Sequence, residues 1–330
     1  MSNSASGNSL RVLAAARGIR LGTALVPHLL DQACPYAEIA ATEFGSVTAE
    51  NAMKWDHLAP TRSVRTWDGA DRVMAFAQAH GQQVRGHTLL WHNQNPGWLS
   101  NGDISAAGLR AALRDHIGAV VGRYAGRIGD WDVVNEPFER QGEFRRSLWY
   151  EALGPGYIAE ALSCARSADP AAKLYINDYG IEGFCAKSDA LYVLVRDLKR
   201  RDVPLDGIGF QCHLRLGRMP PRMQENLQRF ADLDVDIAIT ELDIAMDMPP
   251  TDGALLQQGE QFGTVVRACL GVERTRSITV WGFTDAASWI PGRNPDRGAA
   301  TLYDENYRPK PAYYAFAEAL VAMVIEKSSI

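Results

Sequence analysis

Cysteine is sparse and unpatterned in this chain. The five cysteines, Cys34, Cys164, Cys185, Cys212 and Cys269, are odd in number and widely spaced, with no C-x-x-C pair. Neither a disulfide framework nor a zinc site is implied, and the thiols read as small buried apolar residues. Long apolar runs are also missing. No stretch approaches the roughly 18 consecutive apolar residues of a membrane-spanning helix. The N-terminal segment offers only the apolar run Val12–Ala16, too short for a signal-peptide core. Dense Lys/Arg runs interleaved with aromatics are absent and the formal net charge is −5, so neither nucleic acid nor an anionic membrane is indicated as a partner. A neutral polymer suits such a surface. There is no G-x-S-x-G elbow and no phosphate-binding P-loop. Gly154, Pro155, Gly156 and Ala159 fit a loose dinucleotide pattern, but no strand precedes them, so helix initiation explains them. No Ser-, Pro- or Gly-rich linker divides the chain, and no sequence repeat is present.

What the chain has is length and rhythm. With 330 residues, 46% of them hydrophobic, it can bury a large core, as one big α/β barrel or as two ordinary domains. From Ile19 onward a short apolar strand, a polar loop and a helically spaced segment recur. The spacing predicts strands over 19–26, 46–50, 83–91, 128–136, 173–178, 207–213, 236–244 and 277–284. Leu113, Ile117, Val120 and Tyr124 fall on one helical face, as do Leu191, Leu194, Val195 and Leu198. Eight such units predict a single α/β domain, the (β/α)8 TIM barrel, over 19–325. Residues 1–18 are then an N-terminal tail and lead-in, the first seven disordered.

Barrel active sites lie at the C-terminal ends of the strands, and the chemistry-bearing residues gather there. The stretch Trp131–Phe138 runs from apolar strand into Asn135 and Glu136 and is stopped by Pro137, which has no N–H to pair. A carboxyl half-buried at that mouth has its neutral form favoured, as a proton donor requires. A second apolar strand ends in Glu241 and Asp243, two apart and so pointing the same way. Paired carboxylates of this kind hydrolyse glycosidic bonds, one as acid and one as nucleophile or base. Other strand ends carry Glu50, Asn51, Lys54 and Trp55; His87, Trp91, His92 and Gln94; Asn177, Asp178 and Tyr179; Gln211 and His213; and Trp281 with Trp289. Indole rings suit the C–H faces of pyranoses, and amides, Lys and His suit their hydroxyls. A metal centre drawing on His87, His92, His213, Glu136, Glu241 and Asp243 is the chemical rival. Without H-x-H or H-E-x-x-H spacing, no metal and no cofactor is expected.

Taken together, TAENAMKWD at 48–56, GHTLLWHNQNPGW at 86–98, WDVVNEPF, INDYG at 176–180, GIGFQCHL, ITELDI, WGFTDAASWI at 281–290 and YRPKPAYYA at 307–315 resemble glycoside hydrolase family 10, the retaining endo-β-1,4-xylanases. The resemblance runs from about Gly22 to Leu320. It implies that Glu136 is the acid/base and Glu241 the nucleophile of a double displacement, with carboxyls about 5 to 5.5 Å apart. It further implies that Glu50, Asn51, Lys54, His87, Trp91, Gln94, Asn135, Gln211, His213, Trp281 and Trp289 line the glycone side. Tyr179 is then a stacking residue on the leaving-group side, and Asp243 orients the histidine near the nucleophile. The implied partners are xylan and xylo-oligosaccharides, acted on by a monomer, either secreted or periplasmic with its signal absent, or cytoplasmic. A β-1,4-glucanase, a mixed xylanase/cellobiohydrolase and a non-catalytic sugar-binding barrel are the alternatives. Some relatives pair a cysteine matching Cys269 with one where this chain has Thr275, so that disulfide should be missing. No carbohydrate-binding module is expected. Ala52 and Cys212 stand where the family varies.

Overall fold

The structure, a computed structural model, describes residues 9–101 and 104–327. Among the described residues ten strands follow one another: β1 (Arg20–Leu25), β2 (Ser46–Ala49), β3 (Gln83–Leu90), β4 (Asp130–Asn135), β5 (Lys173–Asp178), β6 (Gly207–Phe210), β7 (His213–Arg215), β8 (Asp236–Asp247), β9 (Thr275–Val280) and β10 (Arg297–Gly298). Eight of these, β1 to β6 with β8 and β9, pair in parallel, and β1 closes the ring by pairing with both β2 and β9. Helices occupy the crossovers, so the expected (β/α)8 barrel is the architecture.

The outward faces of the strands carry the apolar core. Val47, Val133, Ile176, Ile208, Ile237, Ile239 and Ile278 are buried there. Against them pack stripes such as Leu113, Ile117 and Val120 of the helix Ala106–Arg123 with Tyr124 at its C-terminal cap, all four fully buried. Burying each such side chain stabilises the fold by about 1.5–3 kcal/mol. Ser105 starts that helix, its Oγ accepting from the Gly108 N–H at 3.2 Å. On the helix Ala186–Arg200, Leu191, Val195 and Leu198 are buried, while Leu194 is half-buried at the edge of the stripe.

The inward faces are polar. Arg85 and His87 alternate on β3, and both bond Asp132 of β4 in the barrel interior. Large and small residues interleave there: Tyr175 lies opposite Gly207 in the β5–β6 register, and a Cβ on Gly207 would come within 2.1 Å of the tyrosine ring.

Three expectations are corrected. The sixth strand is not continuous over 207–213, because Cys212 takes a left-handed φ of 60° that a ladder cannot hold. Pairing resumes as β7, which adds to β8 at His213↔Asp243. β8 in turn runs past 244 to Asp247, where β7 and β10 supply partners. The last barrel strand spans Thr275–Val280 rather than 277–284, and Gly282, at φ 77°, turns the chain beyond it. Within the lead-in, Leu10–Ala15 is helical with Leu10 and Ala14 buried, and the Leu10 N–H donates to Glu43 at 2.8 Å. The expected tail of residues 1–7 lies outside the described residues. No helix among the described residues is long and apolar enough to cross a membrane. The Cys269 thiol is free, and the Thr275 hydroxyl donates to its carbonyl at 2.8 Å.

Candidate active site

Glu136 follows β4 directly. It takes a left-handed φ of 56°, a conformation that costs a non-glycine residue about 1–3 kcal/mol and persists where surroundings enforce it. The enforcement is visible: its N–H donates to the Asn177 carbonyl at 2.8 Å, and its carbonyl accepts from Arg145 Nε at 2.9 Å. The carboxyl, on a residue only 8% exposed, accepts from Gln211 Nε2 at 3.2 Å. His92 Nδ1 stands 3.6 Å from it and the Arg145 guanidinium 4.0 Å away. Burial, together with the cations of Arg145, Lys187 and Arg293, pushes His92 down to about 4, so it is neutral beside Glu136 near pH 7.

Glu241 has different company. A register shift between Ile239 and Leu242 breaks the alternation of β8, so Thr240 and Glu241 both reach Asn177. One Glu241 oxygen accepts from Asn177 Nδ2 at 2.8 Å, the other meets His213 Nε2 at 3.1 Å, and His87 Nδ1 lies 4.0 Å away. Burial alone would raise this carboxyl, but His87 and His213 hold it below its ordinary value. His213 is bracketed by acids, its Nδ1 bonding Asp243 at 2.9 Å. Burial opposes its charge, yet Asp243 and Glu241 raise it to about 10. Trp289 Nε1 donates to the same Asp243 oxygen at 2.8 Å, so Asp243 ties an indole and an imidazole together. Behind His87, Asp132 is held low against its own burial by Arg85 and by His87.

Amides join the two carboxylates. Asn177 and Gln211 are fixed as donors by Glu241 and Glu136, so the atom of Asn135 that faces both, at 2.8 and 3.2 Å, is its oxygen. The opposite orientation would gain an indole N–H of Trp91 at 3.2 Å and the Asn177 carbonyl at 3.3 Å but set its N–H2 against two others. As oriented, the Asn135 N–H2 lies 3.5 Å from the Glu136 carboxyl.

The remaining expected residues fall around this centre. Buried Lys54 reaches Asn51 Oδ1 at 2.9 Å and sits 4.9 Å from the Trp91 ring centroid. Burial lowers its pKa, with Glu241 and Glu50 opposing. Burial raises Glu50, with Lys54 opposing. Gln94, left-handed at φ 48°, donates to Asn51 at 3.3 Å. Trp281 meets the ring of His87 edge-on at 5.2 Å. Tyr179 stands at the rim, 40% exposed, its hydroxyl 3.2 Å from Arg145. Gln211 and His213 both join the site, one on each side of the break at Cys212.

Arg145, which touches Glu136 and Tyr179, escaped sequence reasoning because it lies in a loop without periodicity. His92 was legible only as a possible ligand at a strand end. Arg85 and Asp132 did leave a signal: charges spaced two apart with their strand neighbours His87 and Asp130, inside otherwise apolar runs. Glu182 left none. It is buried, and its carboxylate accepts from the Cys212 N–H at 2.9 Å, anchoring the residue before His213.

Residues 9–319 match the family model for glycosyl hydrolase family 10. The chain belongs to glycosyl hydrolase family 10. An endo-1,4-beta-xylanase of Agaricus bisporus is 46% identical to this family 10 chain over 286 residues, 86% of each sequence. Endo-1,4-beta-xylanase B of Thermotoga neapolitana is 41% identical over 322 residues, covering 96% of this chain and 93% of that one. The crystal structure of xylanase 10B from Thermotoga petrophila in complex with xylobiose superposes with a TM-score of 0.94 at 40% identity, over 98% of this chain and 99% of that one. The family 10 barrel thus carries a glycoside hydrolase site.

Proposed function

We propose that this glycoside hydrolase is an endo-1,4-β-xylanase that cleaves internal bonds of xylan with retention of anomeric configuration. The observation that carries the mechanism is the asymmetry of two carboxylates joined by one amide network. Glu241 faces two histidines that favour its charged form. Glu136 has an amide and a neutral imidazole nearest to it, with no cation among the described residues closer than Arg145. Two carboxyls whose surroundings differ in this way divide the roles of nucleophile and proton donor.

In this reading Glu241 attacks the anomeric carbon as Glu136 gives a proton to the departing oxygen. The C–O bond breaks, the glycosyl group is esterified to Glu241, and Glu136 then takes a proton from the water that releases it. Asn135 donates to the 2-hydroxyl of the sugar at the cleavage point. Glu50, Asn51, Lys54, His87, Trp91, Gln94, Gln211, His213, Trp281 and Trp289 line the glycone side, and Tyr179 the leaving-group side. Asp243 orients His213 toward the nucleophile, and the xylanase names of the relatives support xylan as the substrate.

Proton NMR of xylotetraose hydrolysis tests the stereochemistry. The β-anomer should appear before mutarotation, and an early α-anomer would refute retention. A 2-fluoro xylobioside bearing a good leaving group should add one glycosyl mass to the protein, mapping to the peptide that contains Glu241.

A further inference from the structure

A buried ion pair beside the cleft is left without a task by the mechanism. Lys187 is the second residue of the helix Ala186–Arg200 and is 2% exposed. That is a costly place for an ammonium, since burial penalises its charge and the positive end of the helix dipole repels it. Its Nζ lies 2.6 Å from Asp178 Oδ1, and Asp178, the last residue of β5, is wholly buried. The other Asp178 oxygen has no hydrogen-bond partner among the described residues. Lys187 Nζ sits 3.6 Å from the ring centroid of Tyr179, at cation–π distance. Tyr179 is bound at two further points, its N–H donating to Asp178 Oδ1 at 2.9 Å and its hydroxyl meeting Arg145 at 3.2 Å.

We propose that Lys187, seated by Asp178, is a positioning residue of the leaving-group side: its ammonium packs on one face of Tyr179 and holds the ring so that the opposite face receives the departing sugar. The inference rests on the assignment of Tyr179 to that side. Held by the ammonium, the backbone bond and Arg145, the ring forms a platform built before substrate arrives, which spares the binding step the entropy of ordering it. Lysine serves where a neutral side chain would not, because the attraction to the ring is electrostatic.

The test compares xylotetraose, which places a sugar on Tyr179, with xylobiosyl fluoride, whose leaving group does not reach it. Asp178→Asn/Lys187→Met removes both charges together and so leaves no orphaned buried ion. The ratio of kcat/KM on xylotetraose to that on the fluoride should fall about tenfold, mainly through KM. Lys187→Gln removes the cation while keeping a donor for Asp178. It should lower the ratio in the same direction, and it serves if the pair variant does not fold. With Tyr179→Ala in the background, either change should alter the ratio by less than about twofold. An unchanged ratio in the pair variant or Lys187→Gln, or an equal drop with Tyr179 already removed, would overturn the proposal. Tyr179→Ala leaving the ratio intact would instead overturn the leaving-group assignment, and this inference with it.

Discussion

Glu241 and Glu136 are identical carboxyl groups with different neighbours, and the proposed division of roles between them is measurable residue by residue. Replacing Glu136 with Ala should lower kcat/KM on xylotetraose by about 10²–10⁴-fold, the usual worth of a positioned proton donor. Xylobiosyl fluoride needs no proton to depart, so its glycosylation should suffer far less, and parallel steady-state kinetics would show the split. His213 sets an alkaline boundary. Its raised value means that the charged imidazole stabilises the fold fully below its ordinary 6.5, and that this contribution is lost as pH rises through about 10. Glu241, held low, contributes above its ordinary value and loses that contribution as pH falls through its folded value. Asp243→Asn removes the main support of the imidazolium. The decline in thermal midpoint between pH 7 and 11 should then begin at lower pH, with the alkaline limb of kcat/KM moving the same way.

At the scale of elements, the site depends on places where strands stop being regular. The shift in β8 turns Thr240 and Glu241 to the same side, and the left-handed Cys212 separates β6 from β7 so that His213 meets Asp243 across a new register. Glu182 anchors that break through the Cys212 N–H. Glu182→Ala should leave a buried N–H unpaired and cost about 1–3 kcal/mol in chemical denaturation, with kcat reduced through misplacement of His213. Glu182→Gln keeps an acceptor oxygen and should cost less on both counts.

Across the whole molecule the barrel is a polar interior wrapped by an apolar shell, and its closure requires small residues beside large ones. Gly207→Ala would drive a methyl into the ring of Tyr175, itself covered by Arg85 at 4.3 Å. A rigid ring between fixed strands cannot yield cheaply, so a loss of about 1–3 kcal/mol is expected in thermal or urea unfolding. The lead-in helix belongs to this shell as well. Leu10→Ala should cost about 2–5 kcal/mol, a larger effect than a trailing segment could have.

The repeated exchange of apolar strand for amphipathic helix determined the barrel, because eight such units can cover one parallel sheet and leave no edge. Carboxylates placed where strands end pointed to hydrolytic chemistry, since the C-terminal rim is where such residues converge. Glu136, Glu241, Asn135 and the tryptophans were therefore legible as candidates from position, and their roles came from the resemblance. Arg145, Glu182 and Lys187 were not, because each acts across a gap between separate segments that no local periodicity encodes. Only the tertiary structure decided which carboxylate meets two histidines and which meets an amide, for charge and burial depend on distances that exist once the chain has closed on itself.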